Sequence, residues 1–111
     1  MVRLKSKNSI DFLFSKGTYL KEGPLKLVYL KDKKGDVAIG FGVSKRLFAR
    51  AVDRNKIKRL MREQCRSFFF KINSDRFLGS SFFIYEGTEL PSFDGLKKPM
   101  GILIKLWGAG D

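Results

Sequence analysis

The sequence predicts an α+β domain in the order α-β-β-β-α-β-α, a single sheet sandwiched with helices, and three stretches carry that prediction. Val37–Ser44 (VAIGFGVS) alternates strictly, with Val37, Ile39, Phe41 and Val43 on one face and Ala38, Gly40, Gly42 and Ser44 on the other, the period of a strand. Ile57, Leu60, Met61, Cys65, Phe68 and Ile72 recur at steps of three and four, the period of one helical face. Ser81–Tyr85 (SFFIY) is apolar on both faces, as a central strand is. With 111 residues, 43% of them hydrophobic and eleven of them Phe, the chain has material for one modest core, so residues 1–111 read as a single domain. No internal repeat or linker divides it.

The elements follow in order. Asn8–Lys16 reads as a short helix: Ile10, Leu13 and Phe14 share a face, Ser6 or Asn8 offers a cap, and Gly17 ends it. Thr18–Leu20 is a short strand. Gly23-Pro24 punctuates, and Leu25–Leu30 is a second strand, with Leu25, Leu27 and Tyr29 on one face and Val28 and Leu30 on the other. Asp32-Lys33-Lys34-Gly35-Asp36 has the turn chemistry of a hairpin loop leading into the third strand. The small face of that third strand suits either close packing of a helix or the floor of a shallow groove. After the long helix, Asn73-Ser74-Asp75 is a loop, and Glu86–Gly95 is another, before and after the strand Ser81–Tyr85. In the tail Leu96, Met100, Leu103 and Trp107 share a helical face, which favours a helix over Lys98–Trp107 with Pro99 in its first turn; ILIKLW alone also fits a strand.

The charge is placed, not spread. Of a formal net +12, the stretch Lys45–Arg66 holds +7: Lys45, Arg46, Arg50, Arg54, Lys56, Lys58, Arg59, Arg62 and Arg66 against Asp53 and Glu63. At about 100° per residue, Arg54, Asn55, Lys58, Arg59, Arg62 and Arg66 fall on an arc of roughly 140° beside the apolar arc. Arg50, Arg54, Lys58, Arg62 and Arg66 follow one another at i,i+4, which costs a few tenths of a kcal/mol per pair in an isolated helix. A polyanion as the usual partner accounts for that cost, and nucleic acid is the leading candidate. Arginines fork onto phosphate oxygens, the Asn55 amide can bond a base edge, a ribose or a metal-bound water, and Phe14 and Tyr29 could stack on unpaired bases. Membrane binding would need an exposed apolar face, and this one is committed to a core. DNA readout ranks last, since no second helix is placed for a helix-turn-helix and no dimer seam is visible.

Other classes are excluded by composition. The chain has no histidine, no Cys/His cluster for zinc, no GxxxxGK[ST] loop and no carboxylate pair placed together by spacing. Hence no catalytic or metal-ligating residue is assigned. No run approaches ~20 apolar residues, the N-terminus does not read as a signal peptide, and the single Cys65, a small hydrophobe on the apolar helix face, fits a reducing cytoplasm.

Lys45-Arg46, Ala51-Val52 and RNKIKRLMRE (Arg54–Glu63) together resemble the signature segment of the bacterial ribonuclease P protein subunit, the RNR motif with its trailing KRxxRE. VSKR (Val43–Arg46) is similar to that family's strand-to-helix entry, and IDFLFSKG (Ile10–Gly17) to its first helix. The similarity covers residues 4–86. Lys56 stands where the family has the second arginine of RNR, keeping the charge without the bidentate fork. Ile10 replaces a first aromatic, four residues (Leu47–Arg50) link Lys45-Arg46 to Ala51-Val52 where some members have a shorter glycine-containing link, and the tail with Pro99 and Gly101 matches poorly. The resemblance implies a left-handed βαβ crossover, as in a domain of a ribosomal small-subunit protein. It implies a cleft between the sheet and the first helix that takes the 5′ leader of precursor tRNA, and a basic helix that meets a catalytic RNA subunit. In that family the RNA holds the active site and its Mg²⁺ ions, and the protein aids leader removal in tRNA maturation. Carried over by position, Arg54, Asn55, Lys56, Lys58, Arg59 and Arg62, flanked by Arg50 and Arg66, would face the RNA subunit. Ile10, Phe14, Tyr29 and Lys45 would line the leader cleft, with Arg46 at its border. The alternative is a general structured-RNA-binding or ribosomal-type protein with no processing role.

Overall fold

The computed structural model describes residues 2–4, 7–32, 37–69 and 77–109. The elements are β1 (Val2–Arg3), α1 (Lys7–Lys16), β2 (Thr18–Glu22), β3 (Leu25–Lys31), β4 (Val37–Val43), α2 (Ala51–Phe69), β5 (Gly79–Tyr85) and α3 (Phe93–Ala109). This is the expected α+β arrangement with one short strand added at the start. The sheet has five strands in the order β1-β4-β5-β3-β2.

The doubly apolar strand is the reason for that order. β5 sits in the middle, parallel to β4 (Ile39 opposite Ser81, Phe41 opposite Phe83) and antiparallel to β3 (Leu27 opposite Phe83, Tyr29 opposite Ser81). The expected hairpin from Asp32 to Asp36 is therefore not one: β3 and β4 are not neighbours, because β5 needs apolar cover on both faces and takes the slot between them. Residues 33–36, Ile72 and the loop expected at 73–75 lie outside the described residues. The true hairpin is β2–β3, closed by Gly23-Pro24, with Gly23 at φ +55 supplying the left-handed conformation of a two-residue loop.

Strand alternation then assigns the two faces. Leu25, Leu27, Tyr29, Val37, Ile39, Phe83 and Tyr85 form a core with Ile57, Met61 and Cys65 of α2 and with Leu96, Met100, Leu103, Ile104 and Trp107 of α3. Trp107 is the hub, edge-on to Phe77 at 4.8 Å and 6.1 Å from the Tyr29 ring. Each such side chain, fully buried, contributes about 1.5–3 kcal/mol of transfer free energy. Gln64 is buried as well, and its amide donates to the Phe93 carbonyl at 2.6 Å, tying α2 to the start of α3. On the other face α1 crosses, with Leu13 fully buried and Gly17 N–H donating to the Leu13 carbonyl at 2.7 Å as the helix ends.

The tail is a helix, but it starts at Phe93, five residues before the expected start at Lys98. The Ser92 hydroxyl accepts from Gly95 N–H at 2.9 Å, an N-cap that the glycines and prolines of this stretch conceal in the sequence. Pro99 thus lies in the helix interior, where it removes a backbone donor at a cost of ~3 kcal/mol. Burial of Leu96, Met100, Leu103, Ile104 and Trp107 offsets that cost.

Candidate nucleic-acid interface

α2 separates its two arcs as its periodicity requires. Ile57, Met61 and Cys65 are fully buried, while Asn55, Lys56, Arg59 and Arg66 are exposed and Arg54, Lys58 and Arg62 half-buried. Burial pushes the Cys65 thiol up to about 12, which makes it an inert core residue. Across the basic arc the acid nearest to pairing is Asp53, 3.9 Å from Arg50 in a pair open to solvent, which neutralises little. Val52, 67% exposed, adds an apolar side chain among these cations that charge counting passes over.

The segment that delivers the chain from β4 to α2 is an arch. Phe48 anchors it, buried with its ring 6.0 Å from Tyr85, and Phe48 N–H donates to the Ser44 carbonyl at 3.0 Å. The Ser44 hydroxyl accepts from Arg46 N–H at 3.2 Å, and Lys45, Arg46 and Leu47 project outward, exposed. Arg54 holds the far side: its Nη1 donates to the Phe48 carbonyl at 2.8 Å and to the Ala49 carbonyl at 2.7 Å. The first arginine of the motif therefore spends one nitrogen on the protein's own backbone.

A groove lies on the opposite sheet face, beside α1. The small face of β4 is neither helix-packed nor empty: the Phe82 ring lies across Gly40 and Gly42. A Cβ built on either glycine would come within 2.6 Å of that ring. Phe14 of α1 meets Phe82 edge-on at 5.3 Å, so two half-buried rings form the floor. Tyr19 stands at the side, 47% exposed, its hydroxyl donating to the Phe14 carbonyl at 2.6 Å and the Lys26 ammonium 5.2 Å from its ring.

Ile10 lines a cavity of about 360 Å³ together with Leu4, Gly40, Phe41, Phe82, Lys58 and Arg62. Lys58 and Arg62 thus reach past β4 into the space that Ile10 and Phe82 enclose, and the Arg62 guanidinium sits 5.9 Å over the Phe41 ring. Groove and basic arc are one connected surface.

Tyr29 is the correction. The family resemblance implies a place in the cleft, but the side chain is only 6% exposed and packs by Trp107 in the core on the α2–α3 side of the sheet. The reason is register: Tyr29 shares a face with Leu25 and Leu27, whereas Tyr19, paired to Val28, lies on the α1 side of the sheet. The aromatic residues that sequence reasoning missed on the α1 side of the sheet are Phe82, in the groove, and Tyr19, beside the end of α1. The paired alternation of β2 with β3, and of SFFIY, was the signal that could have found them.

The family model described as Ribonuclease P matches residues 1–105. The chain belongs to that family. A ribonuclease P protein component of Porphyromonas gingivalis is 30% identical over 105 residues, covering 88% of this chain and 77% of that one. Others from Legionella pneumophila (strain Corby) and Chlorobaculum tepidum are 38% and 44% identical over 64 and 68 residues. Those alignments cover 58% and 56% of this chain but only 56% and 44% of theirs, about half the length of those relatives. Among solved structures, the Staphylococcus aureus ribonuclease P protein superposes with a TM-score of 0.79 at 22% identity, covering 96% of this chain and 94% of that one. The Thermotoga maritima protein gives 0.76 at 20%, covering 100% and 99%. At that identity the likeness establishes the shared fold.

Proposed function

We propose that the chain is the protein subunit of a ribonuclease P ribonucleoprotein, seated on a catalytic RNA through the exposed arc of α2 and holding the 5′ leader of precursor tRNA in the groove beside α1. The observation that carries this reading is the junction at Ile10, Phe82, Lys58 and Arg62, where a ring-floored groove opens onto an unneutralised basic helix. A single strand needs that pairing: rings for unpaired bases and cations for the phosphates between them. Asn55, Lys56, Arg59, Arg66 and Arg50 then meet the RNA subunit. Ile10, Phe14, Phe82 and Tyr19 meet the leader, and Lys45 and Arg46 on the arch lie at the boundary. Lys58 and Arg62 serve both.

The chain itself supplies no reacting groups in this reading. Mg²⁺ is usually held by phosphate oxygens and water with one or two carboxylates, and in this reading those phosphates are the RNA's. The active site and its metal ions are assigned to the RNA, and this chain binds and orients. No helix of the described residues is long and apolar enough to cross a membrane, and work in the cytoplasm is part of the proposal.

The test is reconstitution with the cognate RNA subunit. Leader removal from precursor tRNA should require both components at physiological salt, and binding should favour precursor over mature tRNA. Equal affinity for the two tRNAs, with no gain in cleavage, would instead mark a general structured-RNA binder.

A further inference from the structure

A second cavity lies away from the groove, between the C-terminal turn of α2 and the outer flank of α3. It measures about 520 Å³ and is lined by Phe68, Asp94, Lys97, Lys98, Gly101, Ile102 and Lys105. Three lysines face one acid. None of the three has a carboxylate within ion-pair distance among the described residues, and all are exposed. Local net charge is thus positive in a segment whose overall charge is balanced, residues 67–111 carrying five cations and five acids.

The floor is apolar and left open. Phe68 and Ile102 are half-buried, and a Cβ on Gly101 would lie 3.0 Å from Phe68 Cζ, so the glycine lets the ring rest against α3 without a side chain between them. Lys98 and Lys105 are seven residues apart, roughly 10 Å along the helix, enough to engage more than one phosphate of a strand.

We propose that this groove is a second RNA-binding site: phosphates rest on Lys97, Lys98 and Lys105, and an unpaired base lies against Phe68 and Ile102. The inference rests on the reading of the chain as an RNA-binding subunit and extends its footprint beyond α2. Charge favours RNA as the occupant. Three exposed ammonium groups around an open apolar floor, with one carboxylate among them, suit a polyanion that also carries rings. A ring beside unpaired ammonium groups is the combination that single-stranded nucleic acid takes, stacking on the one and screening the other.

The experiment uses the full chain and its cognate ribonuclease P RNA, with binding measured across a salt series. The triple variant Lys97→Gln, Lys98→Gln, Lys105→Gln should weaken binding and flatten the plot of log K against log salt by about 0.7–0.9 for each lysine on a phosphate. Arg59→Ala is the reference within the same series. If Arg59→Ala shifts the slope and the triple variant does not, the second site is refuted while the RNA-binding reading stands. If neither shifts it, both fall.

A position-specific measurement separates contact from general loss of charge. Ile102→Cys carrying a photoreactive group should crosslink to the RNA, and buried Cys65 will not take the label. A complex that forms with native affinity and yields no crosslink from position 102 also refutes the site.

Discussion

Replacing Arg54 by alanine tests whether the first residue of the motif works on the protein or on RNA. The substitution removes two hydrogen bonds, at 2.8 Å to the Phe48 carbonyl and at 2.7 Å to the Ala49 carbonyl. Bonds with a charged partner contribute about 1.5–3 kcal/mol each when fully buried. The first here is only part-buried and the second exposed, so a loss of about 1–2 kcal/mol in total is expected, read from the urea midpoint at unchanged m-value. Hydrogen exchange should quicken at the amides of Arg46–Arg50, because the arch loses its brace on the helix side. RNA-subunit affinity should fall with the loosened arch, but the salt slope should change clearly less than the 0.7–0.9 expected of Arg59→Ala. Unchanged stability together with a full unit lost from the slope would falsify the bracing role and make Arg54 a plain phosphate contact.

Other outcomes follow from the same geometry. Gly42→Ala places a methyl within 2.6 Å of the Phe82 ring, so the ring must move; about 1–3 kcal/mol of stability and part of the preference for precursor over mature tRNA should be lost, by melting and by competitive binding. Phe82→Leu should reduce that preference while leaving RNA-subunit affinity intact; equal losses in both assays would contradict a leader contact at Phe82. Met61→Ala, at a fully buried position, should cost ~2–5 kcal/mol in denaturant unfolding, and half-buried Leu60→Ala clearly less. Alkaline pH should destabilise the fold through Cys65. Its pKa is 9.0 when free and about 12 when folded, so the unfolded chain loses its proton first, and stability, fully present below pH 9, declines toward pH 12. Burial, and then Glu89, raise Tyr85 in the same direction. Cys65→Ala should remove the Cys65 share of that decline in unfolding measured from pH 8 to 11.

What the sequence made legible was what one element can state alone. The two arcs of α2 need only the helical period, and the central place of β5 needs only its two apolar faces. The order of the sheet is different: Asp32–Asp36 has hairpin chemistry, but strand pairing is decided by where β5 finds cover. β1 is two residues long and owes its strand character to the edge of β4. The start of α3 was hidden because Gly95 and Pro99 disfavour a helix locally, and only burial against α2 and the sheet overrides them. At the site, Ile10 and Phe14 could be read from the period of α1, while Phe82 could not, since its place across Gly40 and Gly42 is a contact between strands forty residues apart. Tyr29 shows the opposite failure. Its face was visible in the alternation with Leu25 and Leu27, and positional likeness to a motif overrode it.

The short first strand has a consequence for the isolated protein. Among the described residues β1 pairs only with Ala38 and Ile39, so from Gly40 onward the outer edge of β4 has no strand beside it. Open edges invite a second chain to add its own strand, and proteins commonly guard them with cations. Lys58 and Arg62 stand at this edge, in the cavity that begins at Gly40. Two copies approaching edge to edge would bring those cations together, and their repulsion would oppose the pairing. Under the proposed function, a strand of nucleic acid that neutralised these guards would itself occupy the space a second chain would need. The proposed docking charge would then also be what guards the open edge.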